Sequence, residues 1–98
     1  MGCYLASACQ SEKEKQRALV IELSPENYNG EKMANEFIRY VKYREMALNA
    51  KIVPKENMNN TICIRYSTYG ETKTIFNGTD FSHQYFAPLY QKIIMMND

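Results

Sequence analysis

The stretch TICIRYSTYGETKTIFNGTD, residues 61–80, decides the fold, because it predicts a β-hairpin between two helical segments. Over residues 62–69 the side chains at the even positions form one set and those at the odd positions form another. This alternation is the period-2 pattern of a strand with two different faces. Gly70 and Glu71 can form a two-residue turn with glycine first, and residues 72–76 return as the partner strand. The stretch therefore predicts two antiparallel neighbours in one sheet.

The segment after the hairpin predicts a helix over residues 81–96. Asn-Gly at 77–78 closes the preceding strand, and Asp80 or Ser82 can cap the helix. Pro88 lies inside the segment, so either the helix kinks there or a new helix starts with proline at its first position. The apolar stripe of this helix comprises Tyr85, Leu89, Ile93 and Met96.

Before the hairpin, residues 17–23 (RALVIEL) predict the first strand of the sheet. Leu19, Ile21 and Leu23 share one face and Val20 lies on the other, so both faces carry apolar side chains. Strands that are apolar on both faces lie in the interior of a sheet, and we therefore expect this strand to be central.

The clearest helix of the chain spans residues 31–49, where apolar residues recur at helical spacing. A short strand over residues 50–53 follows and stops at Pro54. A strand, a helix-length connection and a second strand predict a right-handed unit in which the two strands are parallel. The apolar stripe of the helix comprises Met33, Phe37, Tyr40, Val41, Ala47 and Leu48, and we expect Phe37 and Val41 to pack beside Ile64.

The elements follow the order β-α-β-β-β-α, which predicts one α/β (α+β) domain over residues 17–98 after an N-terminal tail, residues 1–16. We expect a four-stranded mixed sheet with both helices packed on one face. The other face is then open, apart from what the tail can shield. We expect the open face to carry Val20, Cys63, Arg65, Ser67 and Tyr69.

Composition and charge limit the possible functions. The 98 residues hold twelve Lys or Arg and eleven Asp or Glu, a net charge of +1. A DNA mimic would be acidic, and a protein that depends on phosphate contacts would be strongly basic, so neither class fits well. The first ten residues are too short, and too soon followed by charges, for a signal peptide or a membrane span. Gly2 and Cys3 fall short of the pattern for dual acylation, which asks for Ser or Thr where Ala6 stands.

We expect no catalytic, cofactor or metal site. Cys3, Cys9 and Cys63 form no C-x-x-C pair, and one histidine cannot complete the set of about four ligands that structural zinc needs. The histidine, His83, has Asp80 nearby in sequence, but capping explains Asp80 more simply and no nucleophile is indicated. The cysteine usage favours a reducing, intracellular compartment. The sequence therefore indicates a protein that is not an enzyme.

Two surfaces carry residues suited to binding a partner. The open sheet face offers Arg65, Ser67 and Tyr69, and tyrosine is a preferred residue of protein interfaces. The outer side of the first helix combines cations with an aromatic ring, as nucleic-acid binders do, in Lys32, Arg39, Lys42, Tyr43 and Arg44. Acidic residues lie among these cations, so i,i+4 ion pairs on a solvated face are the favoured interpretation. The acidic residues are Glu31, Glu36 and Glu45.

The element order, together with the stretch IRYSTYGETKTIF and its spacing back to Leu23, resembles a small thioredoxin-like family. That family contains mitochondrial ribosomal proteins and an accessory subunit of respiratory complex I. The resemblance covers residues 17–94 and rests on Arg-Tyr at 65–66 and on YGET at 69–72. It implies a thioredoxin-like fold without the redox motif, a non-catalytic subunit and a mitochondrial location. The chain departs from the complex I members, which tend to carry cysteine where Ser24 stands and at the end of the second strand.

Two hypotheses for the function follow. The first is a non-catalytic protein-binding domain, a structural or assembly subunit that docks into a larger complex through its open sheet face. The second is a small phage or bacterial regulator or inhibitor, cytoplasmic, that binds a host enzyme or a nucleic-acid-associated protein. The expected partner is thus another protein or a multi-subunit assembly. A nucleic acid bound at Arg39, Lys42 and Tyr43 is the less favoured partner.

The cysteines supply the first test. Because their number is odd and no base is indicated near any of them, we predict that Cys3, Cys9 and Cys63 are needed neither for folding nor for chemistry. A triple Cys→Ser variant should keep its circular dichroism spectrum and its partner. A folded triple variant that no longer binds would contradict this prediction.

Overall fold

The computed structural model of the protein describes residues 17–56 and 59–97. The predicted tail, residues 1–16, lies outside the described residues, and so do Cys3 and Cys9. The elements follow the predicted order, with one 3-10 turn added before the last helix. They are β1 (Ala18–Leu23), α1 (Tyr28–Arg44), β2 (Asn49–Pro54), β3 (Ile62–Thr68), β4 (Glu71–Gly78), the 3-10 turn (His83–Tyr85) and α2 (Phe86–Asn97).

The four strands form one mixed sheet in the order β2-β1-β3-β4. β1 pairs in parallel with β2 and antiparallel with β3, and β3 and β4 form the predicted antiparallel hairpin. The connection through α1 makes the parallel pair possible, since the chain must return to the other end of the sheet before β2 begins. The predicted α+β class and the central position of the first strand are confirmed.

Both helices pack on the same face of the sheet. Leu19 and Ile21 of β1 are fully buried and join one core cluster with Ile64 of β3 and with Phe37 and Val41 of α1, as predicted. Side chains of α2 belong to the same cluster. Because successive strand residues point to opposite faces, the residues between these core positions face away from the helices.

Helix α1 begins and ends earlier than predicted, at Tyr28 and Arg44 rather than at residues 31 and 49. It begins there because the Asn27 side chain caps it: Asn27 Oδ1 accepts a hydrogen bond from the Gly30 N–H at 2.9 Å. At the other end Glu45 leaves helical geometry, with φ −122° and ψ 85°. The chain must turn here to enter β2, which is a tertiary requirement that helical periodicity does not contain.

The hairpin turn lies one residue earlier than predicted. Thr68 pairs with Glu71, so the two turn residues are Tyr69 and Gly70, not Gly70 and Glu71. Both have positive φ, 52° for Tyr69 and 83° for Gly70, as a type I′ turn requires. The expectation that Tyr69 is a strand residue on the open face is therefore wrong, since it lies at the tip of the hairpin.

The last helix starts in two stages, so the prediction of a helix from residue 81 is wrong. The 3-10 turn His83–Tyr85 precedes α2, and Pro88 is the third residue of α2. Proline is tolerated there because N–H groups in the first turn of a helix have no intrahelical acceptor. The predicted caps also fail: Ser82 makes no side-chain bond to the turn, and Asp80 lies ahead of the cap position.

Truncation of Phe37 tests whether the side of α1 that carries this residue packs against the sheet. The variant Phe37→Ala removes a fully buried ring, so the free energy of unfolding should fall by about 3–5 kcal/mol. Tyr43→Ala, at an exposed position of the same helix, is the matched control and should change it by less than about 0.5 kcal/mol. Denaturant unfolding measures both. An unchanged unfolding midpoint for Phe37→Ala would refute the assignment.

Candidate protein-binding surface

The face of the sheet opposite the helices carries two of the residues that the sequence assigns to partner binding. Val20 lies opposite Arg65, and Glu22 lies between Cys63 on β3 and Val53 on β2. The apolar residues of this set are Val20, Val53 and Cys63, and none of them belongs to the core cluster. We call this face the sheet surface, which comprises Val20, Glu22, Val53, Cys63, Arg65 and Ser67.

Glu22 is the electrostatic centre of the sheet surface. Its Oε1 lies 2.6 Å from Arg65 Nη1, and its Oε2 lies 3.7 Å from Lys55 Nζ. The Glu22 side chain is only 12% exposed, whereas that of Arg65 is 42% exposed. Arg65 therefore covers the carboxylate and balances its charge. Sequence reasoning missed Glu22, although an acidic residue inside the apolar run RALVIEL is a signal that could have identified it.

The structure places only part of the predicted sheet-face set together. Ser67 lies on the same face as Arg65, and its Oγ lies 2.7 Å from Oγ1 of Thr72 on β4. Such cross-strand hydroxyl pairs stabilise a sheet. Tyr69 is 61% exposed, but it lies in the hairpin turn beyond the end of β3. Tyr69 therefore lies beyond one end of the sheet surface and is not part of it.

The other predicted residues, Arg39, Lys42 and Tyr43, lie on the outer side of α1. All three are exposed, and they lie on the side of the helix away from Phe37 and Val41, which face the sheet. Because α1 covers the other face of the sheet, these residues are on the opposite side of the domain from Arg65 and Ser67. The two predicted groups therefore form two separate surfaces.

The predicted i,i+4 ion pairs on α1 are wrong for the part of the chain that the structure describes. No ion pair among residues 17–56 and 59–97 joins two residues of α1. Glu36 Oε1 instead lies 2.6 Å from Nε2 of His83, and Glu45 Oε1 lies 2.5 Å from Nη2 of Arg17. Both acidic residues thus contact partners on other elements rather than the cations beside them.

The contact between His83 and Glu36 is the arrangement closest to an acid–base pair. The hydrogen bond from His83 lowers the pKa of Glu36, so this carboxylate stays ionised at neutral pH. The shallow groove beside the pair holds no Ser, Thr or Cys, and a triad needs such a nucleophile. Cys63 is buried on the far side of the sheet. No group of three potential metal ligands occurs among the described residues.

A polar network at one end of the domain was not predicted. Glu45 accepts hydrogen bonds from Arg17 and, at 2.8 Å, from the Tyr90 hydroxyl. Asn97 donates to Glu45 at 3.4 Å and accepts from the Tyr66 hydroxyl at 2.5 Å. The bond to Glu45 raises the pKa of Tyr90, and the bond to Tyr66 raises that of Arg17. These five residues join β1, α1, β3 and α2, and no local sequence pattern connects them.

Neither helix in residues 17–56 and 59–97 is both long and apolar enough to cross a membrane. No family model matches the chain, and neither a curated protein nor a solved structure matches it. The resemblance to the thioredoxin-like family therefore stays a prediction that rests on the sequence motifs alone.

The Glu45–Tyr90 contact predicts a pH dependence. The Tyr90 hydroxyl donates a hydrogen bond to Glu45 that the phenolate cannot make, and the carboxylate also repels the phenolate. The folded pKa of Tyr90 is therefore above its unfolded value, and the contact stabilises the fold at neutral pH. That contribution is lost as the pH rises through the folded pKa. The variant Glu45→Gln should lower the pKa of Tyr90.

Ultraviolet titration of phenolate absorbance measures this shift, with Tyr90→Phe to assign the transition and Glu36→Gln as the matched control. A titration curve that Glu45→Gln leaves unchanged would contradict the network.

Proposed function

We propose that the protein is a non-catalytic protein-binding domain that docks onto its partner through the sheet surface. The observation that carries the proposal is the position of Val20 and Val53, two half-buried apolar side chains on the face away from the core cluster, beside the buried Cys63. A partner that covers this face removes apolar area from water, which is the main driving force of protein association.

The charges of the sheet surface suit a protein partner better than a phosphate. Arg65 is already paired with Glu22, so docking buries an existing ion pair rather than an isolated charge. Ser67 and Lys55 lie beside this pair and can remain at the margin of an interface. The pair lies on the two central strands among the apolar side chains, so both charges can stay bonded to each other when a partner covers the face.

The two edge strands of the sheet are poorly suited to pairing with a strand of a partner, which favours docking through the face of the sheet. β2, at one edge, carries Lys51 and ends in Pro54, which cannot donate a backbone hydrogen bond. β4, at the other edge, carries Lys73 and has a bulge at Ile75. Lysine, proline and bulges at an edge strand all oppose pairing with another chain.

We favour a structural or assembly subunit of a larger complex, which the resemblance to the thioredoxin-like family supports and which would place the protein in mitochondria. A small phage or bacterial regulator that blocks a host enzyme in the cytoplasm would use the same surface. The size of the captured complex separates the two, because a subunit joins a large assembly and a regulator binds one stoichiometric partner.

Site-specific photo-cross-linking in the cell that makes the protein tests this proposal. A benzoylphenylalanine at position 67, in place of Ser67, should give one discrete cross-linked protein after nuclease treatment. The same group at position 91, in place of Gln91 on the exposed side of α2, is the matched control and should not give it.

A second charge beside Glu22 provides the second arm of the test. The variant Val53→Glu, at the β2 edge, should remove the cross-link while leaving the circular dichroism spectrum unchanged. The proposal is wrong if position 91 captures the same protein as position 67, or if Val53→Glu does not reduce the cross-link at position 67.

A further inference from the structure

We propose that the outer side of α1 binds an acidic segment of a second protein, and that this segment also carries an apolar side chain. We call this region the α1 surface, which comprises Lys32, Arg39, Lys42 and Tyr43 on the outer side of the helix, with Arg44, the last residue of the helix, and Met46 just after it. It lies on the opposite side of the domain from the sheet surface, so the two can be occupied at the same time.

Helix geometry aligns the residues of the α1 surface. Successive residues turn by about 100° around the axis, which puts Lys32, Arg39 and Tyr43 in one stripe. The stripe is opposite Phe37 and Val41, which are fully buried against the sheet. At about 1.5 Å per residue, Lys32 and Tyr43 are about 16 Å apart along the axis. An extended segment of about five residues spans that length.

No cation of this stripe lies within ion-pair distance of an acidic side chain among the described residues. Glu36 is near enough to Lys32 and Arg39 for their charges to lower its pKa, although the hydrogen bond to His83 has the larger effect. Glu36 contacts His83, and Glu45 contacts Arg17 in the polar network. Among residues 17–56 and 59–97, no ion pair includes Lys32, Arg39, Lys42 or Arg44. The chain as a whole has a net charge of only +1, so this local excess of positive charge is compensated elsewhere in the molecule. An acidic ligand supplies the complementary charge.

Two apolar side chains at the end of α1 indicate that the ligand is not purely ionic. Tyr43 is 85% exposed and Met46 is 90% exposed. Between them in sequence, Arg44 is held in place, with its Cζ 3.6 Å from the centroid of the Tyr40 ring and its Nη1 donating to the Tyr40 carbonyl oxygen at 2.8 Å. Tyrosine, methionine and arginine are the residues enriched in protein interfaces.

The same observations favour a protein ligand over a nucleic acid. Proteins that bind nucleic acid mainly through phosphate contacts are strongly basic, whereas this chain has a pI of about 7.7. A single-stranded ligand also needs a positive groove along its backbone, and the stripe is a convex helix surface.

Selection of peptides from a random phage-displayed library against the full chain tests the proposal. The recovered peptides should be enriched in Asp and Glu beside Leu, Ile, Phe or Met, relative to the starting library. For a synthetic copy of a recovered peptide, the double variant Arg39→Ala/Lys42→Ala should raise Kd by about tenfold or more. Tyr43→Ala should raise Kd by about fivefold, because it removes the apolar contact.

Matched controls separate this surface from general electrostatics and from the sheet surface. Lys92→Ala removes an exposed lysine of α2 and should leave Kd unchanged, as should Val53→Glu on the sheet surface. The proposal is overturned if the recovered peptides are not acidic, or if Lys92→Ala weakens binding as much as the double variant. It is also overturned if oligo(dT) binds more tightly than the peptides with the same dependence on Arg39 and Lys42, since the ligand is then a nucleic acid.

Discussion

Phe37 is the side chain on which the rest of the structure depends, because the two helices and the sheet meet at its ring. The ring is fully buried, and its centroid lies 5.1 Å from that of Phe86 and 5.5 Å from that of Phe81. These contacts hold the segment after the hairpin and the start of α2 on the same face of the sheet as α1. The core is therefore one-sided, and neither of the two helices in residues 17–56 and 59–97 covers the sheet surface.

The distribution of acidic side chains makes the two outer surfaces of the domain different. Glu22 pairs with Arg65 on the sheet surface, so this carboxylate is compensated and the apolar side chains lie beside a closed ion pair. On the helical side, Glu36 contacts His83 and Glu45 contacts Arg17, and no cation of α1 forms an ion pair with an acidic residue among those described. One face thus suits an apolar protein surface and the other an acidic segment. A domain with two such faces can connect two other molecules.

The fold could be predicted because its main signals are local: alternation in β1 and β3, one apolar stripe in each helix, and the order of the elements. The turn could not be placed, since residues 69–70 and 70–71 both contain Gly70 and the choice depends on the register of a bulged pair of strands. The prediction of i,i+4 ion pairs along α1 was wrong for a related reason. Glu36 has its partner 47 residues away and Glu45 has one 28 residues away, which sequence spacing cannot show.

Docking through the sheet surface requires that one face of the sheet is packed and the other is open. Paramagnetic relaxation of methyl groups by a soluble gadolinium complex, followed by NMR on the isolated protein, measures this difference. An open sheet surface gives strong relaxation of the Val20 and Val53 methyl groups and little for those of Ile21 and Ile64, which are fully buried. If Val20 and Val53 are as protected as Ile21 and Ile64, the sheet surface is covered in the free protein and cannot be the docking site.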